Sequence, residues 1–275
     1  MKKLRFTVSK FMLEVLEEDK ENFNLELGAI GNRLFSYYAN KEVYRTPDKI
    51  EKGEIIQFNL SKQNEEMYIK VLQEHDILVE AEYMRNVLFT YINNPRYLRE
   101  EMLFSENFQL VREAIEQKKK INVKYHKKVK TVDPYFLKVA DRENRSYLFG
   151  YSEEEEDYRC YRISEIENIM ISKKEREERD IEYIQGVYEN FDPFHSYGKY
   201  VKVQFTNRGK ELLKRAIQNR PKVLKREENI YQFQCDEKLA QIYFSQFLKE
   251  VEILEPKTLR KWFQEEFQKC YEMYK

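Results

Sequence analysis

Glycine is scarce in this chain, seven in 275 residues. A loop that cradles phosphates on backbone N–H groups needs several glycines within a few positions, and none is present. Three cysteines, Cys160, Cys235 and Cys270, are odd in number and far apart. That speaks against a disulfide framework and suits a reducing cytosol. Three histidines, His75, His126 and His195, are scattered. They create no zinc-ligand spacing, and none has a nucleophile nearby in sequence. No apolar run reaches the roughly 18–20 residues of a membrane span, and no signal-peptide core follows Met1. These absences set the first expectation: a cytoplasmic protein, not an enzyme, with no metal, no cofactor and no membrane partner.

Charge and aromatic rings are what the chain has in quantity. It carries 49 basic and 49 acidic residues, 36% of the total, against about 25% in an ordinary globular chain. Eighteen Phe and 21 Tyr supply enough area to bury that wholesale disorder is excluded. The length suits two domains, or three small ones. A net charge of zero argues against indiscriminate coating of nucleic acid but leaves local fields open. The charges are clumped. Residues 118–130 hold seven Lys and His126 with no acid, and residues 153–157 are an unbroken acidic block.

The first 95 residues contain a repeat. Arg5-Phe6-Thr7-Val8-Ser9-Lys10 returns as Gln57-Phe58-Asn59-Leu60-Ser61-Lys62, an offset of 52. Asn32-Arg33-Leu34-Phe35-Ser36-Tyr37-Tyr38 returns as Asn86-Val87-Leu88-Phe89-Thr90-Tyr91-Ile92, an offset of 54. Leu4, Phe6 and Val8 alternate with polar residues, as do Ile56, Phe58 and Leu60, the period of a half-buried strand. Ser9 and Ser61 suit helix N-caps. A first helix carries Met12, Val15 and Leu16, its counterpart Met67, Ile69, Val71 and Leu72. A second helix pairs Ile30, Leu34 and Tyr38 with Met84, Leu88 and Ile92. Strand, helix, helix, twice over, resembles the ribbon-helix-helix family of DNA-binding modules. The resemblance implies that the two strands pair as one intramolecular ribbon. It also implies that the outward side chains Arg5, Thr7, Gln57 and Asn59 read bases in the major groove. The alternative is a ribbon with a structural role alone.

Asn94-Pro95 closes the repeat. A helix with Phe108, Val111 and Ile115 on one face follows. Short strands are expected at residues 121–125, 130–132, 135–139, 146–151, 158–163 and 169–172, with a turn-rich spacer at 141–144. That pattern suggests a small, strongly bent barrel. Pro134-Tyr135-Phe136-Leu137, Ser146-Tyr147-Leu148-Phe149-Gly150-Tyr151 and Arg159-Cys160-Tyr161-Arg162-Ile163-Ser164-Glu165-Ile166 resemble the WYL domain. The order in that family is Pro-x-x-Leu, Trp-Tyr-Leu-x-Gly-Tyr and Arg-x-Phe-Arg-Leu-x-x-Ile. Here Ser146 stands at the tryptophan, Tyr161 at the phenylalanine and Ile163 at the leucine. The resemblance implies an Sm-like β-barrel and a basic, aromatic pocket for nucleic acid or a nucleotide-like ligand. Arg159 and Arg162 would meet phosphates, with Lys124, His126 and Lys128 beside them, and Tyr135 and Tyr147 would stack on bases. The alternative makes Tyr147 and Tyr161 barrel core and pairs the arginines with the block at 153–157.

Beyond Asp192-Pro193 the expected order is strand (200–206), helix (209–219), strand (221–224), strand (230–235), helix (237–249), strand (251–254) and helix (257–274). This is the ferredoxin-like order. Residues 251–260, Val-Glu-Ile-Leu-Glu-Pro-Lys-Thr-Leu-Arg, resemble the closing motif of the WCX extension that follows many WYL domains. That implies a homodimer. The fold class expected is thus an α+β multidomain chain: a tandem ribbon-helix-helix at 1–95, a helix with the WYL barrel at 96–180, and a WCX-like domain at 181–275. The function expected is nucleic-acid-binding regulation, transcriptional in kind, with duplex DNA or a single strand as partner. An alternative class is a single-stranded-RNA-binding accessory protein of a type VI-D CRISPR effector ribonuclease, since WYL accessory proteins of those systems are similar in order. A sensor of a small metabolite is a further option.

Overall fold

The computed structural model describes residues 2–46, 53–74, 76, 78–140 and 143–275. His75 and part of the spacer at 141–144 lie outside the described residues. The fold is mixed α/β, with ten helices and three antiparallel sheets among those residues. It divides into two compact units, residues 1–139 with 144–176, and residues 177–275 with 140–143.

The first unit begins with strand β1 (Lys3–Ser9) and helices α1 (Lys10–Phe23) and α2 (Leu27–Tyr38). The second copy follows as β2 (Gly53–Asn59), α3 (Lys62–Glu74) and α4 (Glu80–Ile92). Ser9 caps α1, its hydroxyl accepting from the Met12 N–H at 3.2 Å, and Ser61 serves Asn64 in the same way at 3.2 Å. β1 and β2 pair antiparallel about Arg5 and Gln57, which face one another. Leu4 faces Phe58, and Phe6 faces Ile56. Each strand therefore meets the reversed image of itself, as a twofold between the copies requires. Leu4, Phe6, Val8, Ile56 and Phe58 are buried on one face.

Helices α5 (Arg96–Leu103) and α6 (Ser105–Glu116) lead into a five-stranded sheet. Its strands are β3 (Lys119–Tyr125), β4 (Lys128–Ala140), β5 (Arg145–Ser152), β6 (Asp157–Arg162) and β7 (Ile166–Glu175), in the order β6-β5-β4-β3-β7. α5 has no counterpart in the sequence reading. The strands expected at 130–132 and 135–139 are one, because Pro134 removes an N–H without stopping the chain. Its first half pairs with β3, Ile121 to Val132 through Tyr125 to Lys128. The expected barrel is an open sheet among the described residues, with β6 and β7 at its edges. Gly150, the glycine of the Tyr-Leu-x-Gly-Tyr run, lies hard against β4. A Cβ there would stand 2.5 Å from Val132 Cγ1 and 2.8 Å from the Asp133 carbonyl oxygen, so the position admits no side chain.

The two copies of the repeat and this sheet share a single core that runs from Leu4, Leu16 and Tyr91 to Val111, Ile121 and Leu148. Buried polar contacts join them as well. Asp19 accepts from Arg99 Nε at 2.7 Å, Arg99 Nη2 at 2.9 Å and the Tyr91 hydroxyl at 2.6 Å. The buried Glu100 carboxylate accepts from the backbone N–H of Ser146 at 2.9 Å and of Ser164 at 3.3 Å. Burial raises its pKa above the ordinary carboxylate value. Ser146, at the place of the family tryptophan, is thus fixed by its backbone and not by a large side chain.

The second unit opens with α7 (Ile181–Glu189), capped by Asp180, which has no counterpart among the expected elements. Strand β8 (Tyr200–Phe205), helix α8 (Asn207–Arg215), strands β9 (Lys222–Glu227) and β10 (Ile230–Gln234), helix α9 (Glu237–Ser245), strand β11 (Val251–Glu255) and helix α10 (Lys257–Met273) complete it. The sheet order is β11-β8-β10-β9 with antiparallel pairs throughout. Phe205, Phe233, Phe244 and Phe247 fill the space between sheet and helices.

Candidate nucleic-acid interface

Alternation along β1 and β2 leaves one face of the ribbon outward. Its cross-strand rows are Lys3 with Asn59, Arg5 with Gln57 and Thr7 with Ile55. Arg5, Gln57 and Asn59 are exposed and Thr7 is half-buried. All four expected ribbon residues therefore share one surface. Lys3 and Ile55 join them, the latter 57% exposed. Extending the period of two by one step in each strand would have found both.

The seven expected pocket residues do not converge on one point. Tyr147 is buried, and its hydroxyl accepts from Arg162 Nε at 3.0 Å. Arg162 also meets Glu165 at 2.9 Å, and Glu165 accepts from the Tyr125 hydroxyl at 2.6 Å. His126 Nε2 stands 3.5 Å from the same carboxylate. Burial alone would lower the arginine, but the Tyr147 and Glu165 contacts raise its pKa above the ordinary value. Burial alone would raise Glu165, yet the Tyr125 hydroxyl and Arg162 hold it below the carboxylate range. Glu165 is the hub of this network, and the sequence marked it only as a spacer in the last WYL motif.

Arg159 lies elsewhere. It faces Gly150 across the β5–β6 ladder and pairs with Glu155 at 2.5 Å and with Asp157. Its arrangement follows the alternative in which the arginine answers the acidic block. Tyr135 belongs to a third place, an aromatic group with Phe149 and Tyr158 at ring distances of 6.4 and 6.1 Å, under the Arg176 guanidinium at 4.9 Å.

Most of the basic tract is also spoken for. Lys119 pairs with Glu175, Lys120 with Asp133 and Glu153, Lys124 with Glu167, and Lys130 with Glu155. The Lys130 contact pulls Glu155 below its ordinary pKa. Lys127 and Lys128, at the exposed end of the β3–β4 hairpin, make no ion pair among the described residues. The tract that looked uniformly cationic is largely neutralised by carboxylates 13 (Lys120 to Asp133) to 56 residues away.

With this geometry in place, the comparisons with known proteins fall into order. Residues 106–171, from α6 through most of β7, match the family model of the WYL domain. The chain carries a WYL domain. No curated protein matches it. Among solved structures, the chain is similar to a CRISPR Cas-related protein at 15% identity, over 99% of this chain and 94% of that one, with a TM-score of 0.73. The fold is therefore shared nearly end to end. A further match is proteasome accessory factor B/C of Arthrobacter aurescens, 15% identical, over 78% of this chain and 36% of that one. Its TM-score of 0.30 is too low to define a common fold.

Proposed function

We propose that this protein is a non-catalytic regulator of the transcriptional class, which reads duplex DNA through the β1–β2 ribbon and senses nucleic acid or a nucleotide-like ligand in its WYL region. The observation that carries the reading is the outward ribbon face, with Lys3/Asn59 beside Arg5/Gln57 on exposed backbone. A two-stranded ribbon fits the major groove. There arginine suits guanine, and glutamine or asparagine suits adenine. The paired strands, each followed by two helices, support a ribbon-helix-helix assignment for the first 95 residues. The helix followed by a five-stranded antiparallel sheet supports an Sm-like one for the WYL region. The β-α-β-β-α-β order with the strand arrangement β11-β8-β10-β9 supports a ferredoxin-like, WCX-type unit. Self-association through that unit is supported by Phe267 and Tyr271, exposed one turn apart on α10, and by Tyr274 just past its end. The protein would act in the cytoplasm.

A second reading is an accessory protein that binds single-stranded RNA beside a CRISPR effector ribonuclease. It draws on the fold shared with a CRISPR Cas-related protein. One titration separates the two: duplex DNA, single-stranded DNA and single-stranded RNA, each at low and high salt. Under the first reading Arg5→Ala lowers affinity for a selected duplex by ~1–3 kcal/mol and spares nonspecific binding. A preference for RNA that Arg5→Ala leaves untouched favours the second. Duplex affinity unchanged in Arg5→Ala and Gln57→Ala together removes the ribbon from the interface.

A further inference from the structure

A cleft of about 1000 Å³ opens within the first unit, between the ends of the first repeat's helices and the β3–β4 turn of the WYL sheet. None of the WYL signature tyrosines lines it. Arg33 of α2 does, with its guanidinium over the Phe104 ring at 4.5 Å and Nη1 donating to the Leu103 carbonyl at 3.0 Å. Nε and Nη2 of Arg33 make no hydrogen bond among the described residues, and Glu106, which acts on it electrostatically, forms no ion pair with it. From the opposite wall come His126 and Lys127; the Lys127 backbone N–H donates to Glu167 at 3.1 Å, while its ammonium makes no ion pair among the described residues. Four of the seven lysines at 118–130 are ion-paired with carboxylates and Lys127 is not; with Arg33 it puts two cations without an ion pair on one cleft, an anion-binding arrangement.

The turn that carries the second cation has an unusual composition. His126 (φ 48°) and Lys127 (φ 64°) are both left-handed, the two-residue type I′ pattern between paired Tyr125 and Lys128. Asn-Gly is the sequence such a turn prefers, and a lysine there is strained. The residues present serve the fold less well than Asn-Gly would, which points to a use for their side chains.

The remainder of the lining limits the ligand. The amides of Asn24 and Gln63 make no side-chain hydrogen bond among the described residues, so both offer a donor and an acceptor. Tyr37 contributes an aromatic ring. Four carboxylates line the same space: Glu165 and Glu167 are paired with Arg162 and Lys124, while Glu21 and Glu106 make no ion pair among the described residues and offset the two cations. A polyphosphate or a duplex would be repelled. One phosphate joined to a flat, polar, hydrogen-bonding ring would not.

We infer that this cleft binds a nucleoside monophosphate unit, its phosphate between Arg33 and Lys127 and its base among Tyr37, Asn24 and Gln63, either as a free mononucleotide or as one link of a single strand. The inference rests on the reading of the WYL region as a sensor and is independent of the ribbon. The test uses the full-length protein, a fluorescein-labelled oligouridylate hexamer and UMP as competitor. His126→Asn with Lys127→Gly installs the preferred turn while removing the cation, so it keeps or raises the melting temperature. It should weaken hexamer binding about tenfold and reduce the salt slope by about one. Arg33→Gln should weaken binding by a similar factor. Competition by UMP identifies the free nucleotide as sufficient, and failure of UMP against a mutation-sensitive hexamer identifies the strand as the ligand; either supports the site. Hexamer binding equal to wild type in the turn variant overturns the inference and leaves the sensor reading standing. So does a loss confined to Arg33→Gln with a lowered melting temperature. No binding of hexamer or UMP by the wild type overturns both.

Discussion

Asn32 in α2 and Asn86 in α4 occupy equivalent places in the two copies of the repeat, and so do Ser36 and Thr90, yet each pair holds something different. Asn32 donates to the Asn59 carbonyl at 2.9 Å, accepts from the Ser61 N–H at 2.6 Å and meets the Asn64 amide at 3.0 Å. Ser36 adds a bond to Asn64 at 2.7 Å. Together they tie the junction of β2 and α3 to the first copy. Perfect symmetry would have Asn86 and Thr90 tie the junction of β1 and α1. Met12 stands there in place of Asn64, and a thioether has no amide to offer. Asn86 and Thr90 instead accept from the Thr46 and Tyr44 N–H groups at 2.9 and 2.7 Å, holding the segment that leads toward β2. One internal duplication has thus become two kinds of lock, one on a helix start and one on a connection.

The copies also differ in how their first helices are anchored. α1 is held by Asp19, 0% exposed, and Arg99, 8% exposed. α3 and α4 are held at the surface, where Glu80 meets Lys2 at 2.9 Å and the Tyr68 hydroxyl at 2.8 Å. Removing one member of a buried pair leaves the other charge unanswered, at about 3–5 kcal/mol, while an exposed pair contributes about 0–1 kcal/mol. Asp19→Ala should therefore lower the denaturation midpoint far more than Glu80→Ala. Equal effects in urea titrations would break the distinction between a buried and a surface anchor.

That difference was not legible in the sequence. The repeat, its strands and its helices could be read because each lies within one stretch of chain and follows a period of 2 or 3.6. The pairing of Leu4 with Phe58 follows from the repeat itself. Asp19 and Arg99 are 80 residues apart, and nothing in either neighbourhood marks them as partners among so many charges. The same limit explains the sensor region. The WYL motifs identified the strands, but Arg159 was claimed by Glu155 and Asp157, and the cleft assembles Arg33, Glu106 and Lys127 from three separate segments. α5 went unread because its eight residues, half of them charged, are too few to set a clear apolar period. α7 went unread because a run of mixed charge precedes its Asp180 cap.

The asparagine locks provide a test of intermediate size. Asn32→Ala leaves the Ser61 N–H and the buried Asn64 amide short of partners, and each such loss costs about 1–3 kcal/mol. Asn86→Ala releases only Thr46, through its N–H and hydroxyl, whereas Asn32→Ala releases the Asn59 carbonyl, the Ser61 N–H and the Asn64 amide together. The expected order of destabilisation is Asn32 above Asn86. Hydrogen exchange should locate the first effect at residues 59–64 and the second at 44–46. Should the two variants lose equal stability, the second lock is as deeply embedded as the first.

The smallest expected effect concerns the surface anchor and its dependence on pH. The hydrogen bond from Lys2, followed by that from the Tyr68 hydroxyl, holds Glu80 below the ordinary carboxylate pKa. A carboxylate whose folded pKa is depressed binds fewer protons folded than unfolded, so stability rises with pH through that window. The contribution is fully present above the ordinary value of 4.5 and is lost as the pH falls below it, through the folded pKa. Glu80→Gln removes the titrating group and keeps an acceptor for Tyr68. The gap in melting temperature between wild type and Glu80→Gln should be small at pH 7, and smaller in high salt because the pair is exposed. It should close further as the pH falls from 4.5 toward 3. Asp19→Asn, measured beside it, should show a much larger gap at pH 7 with little dependence on salt, since the Arg99 partner is shielded from solvent. A salt-sensitive Asp19 variant would place both anchors at the surface and erase the contrast between the copies.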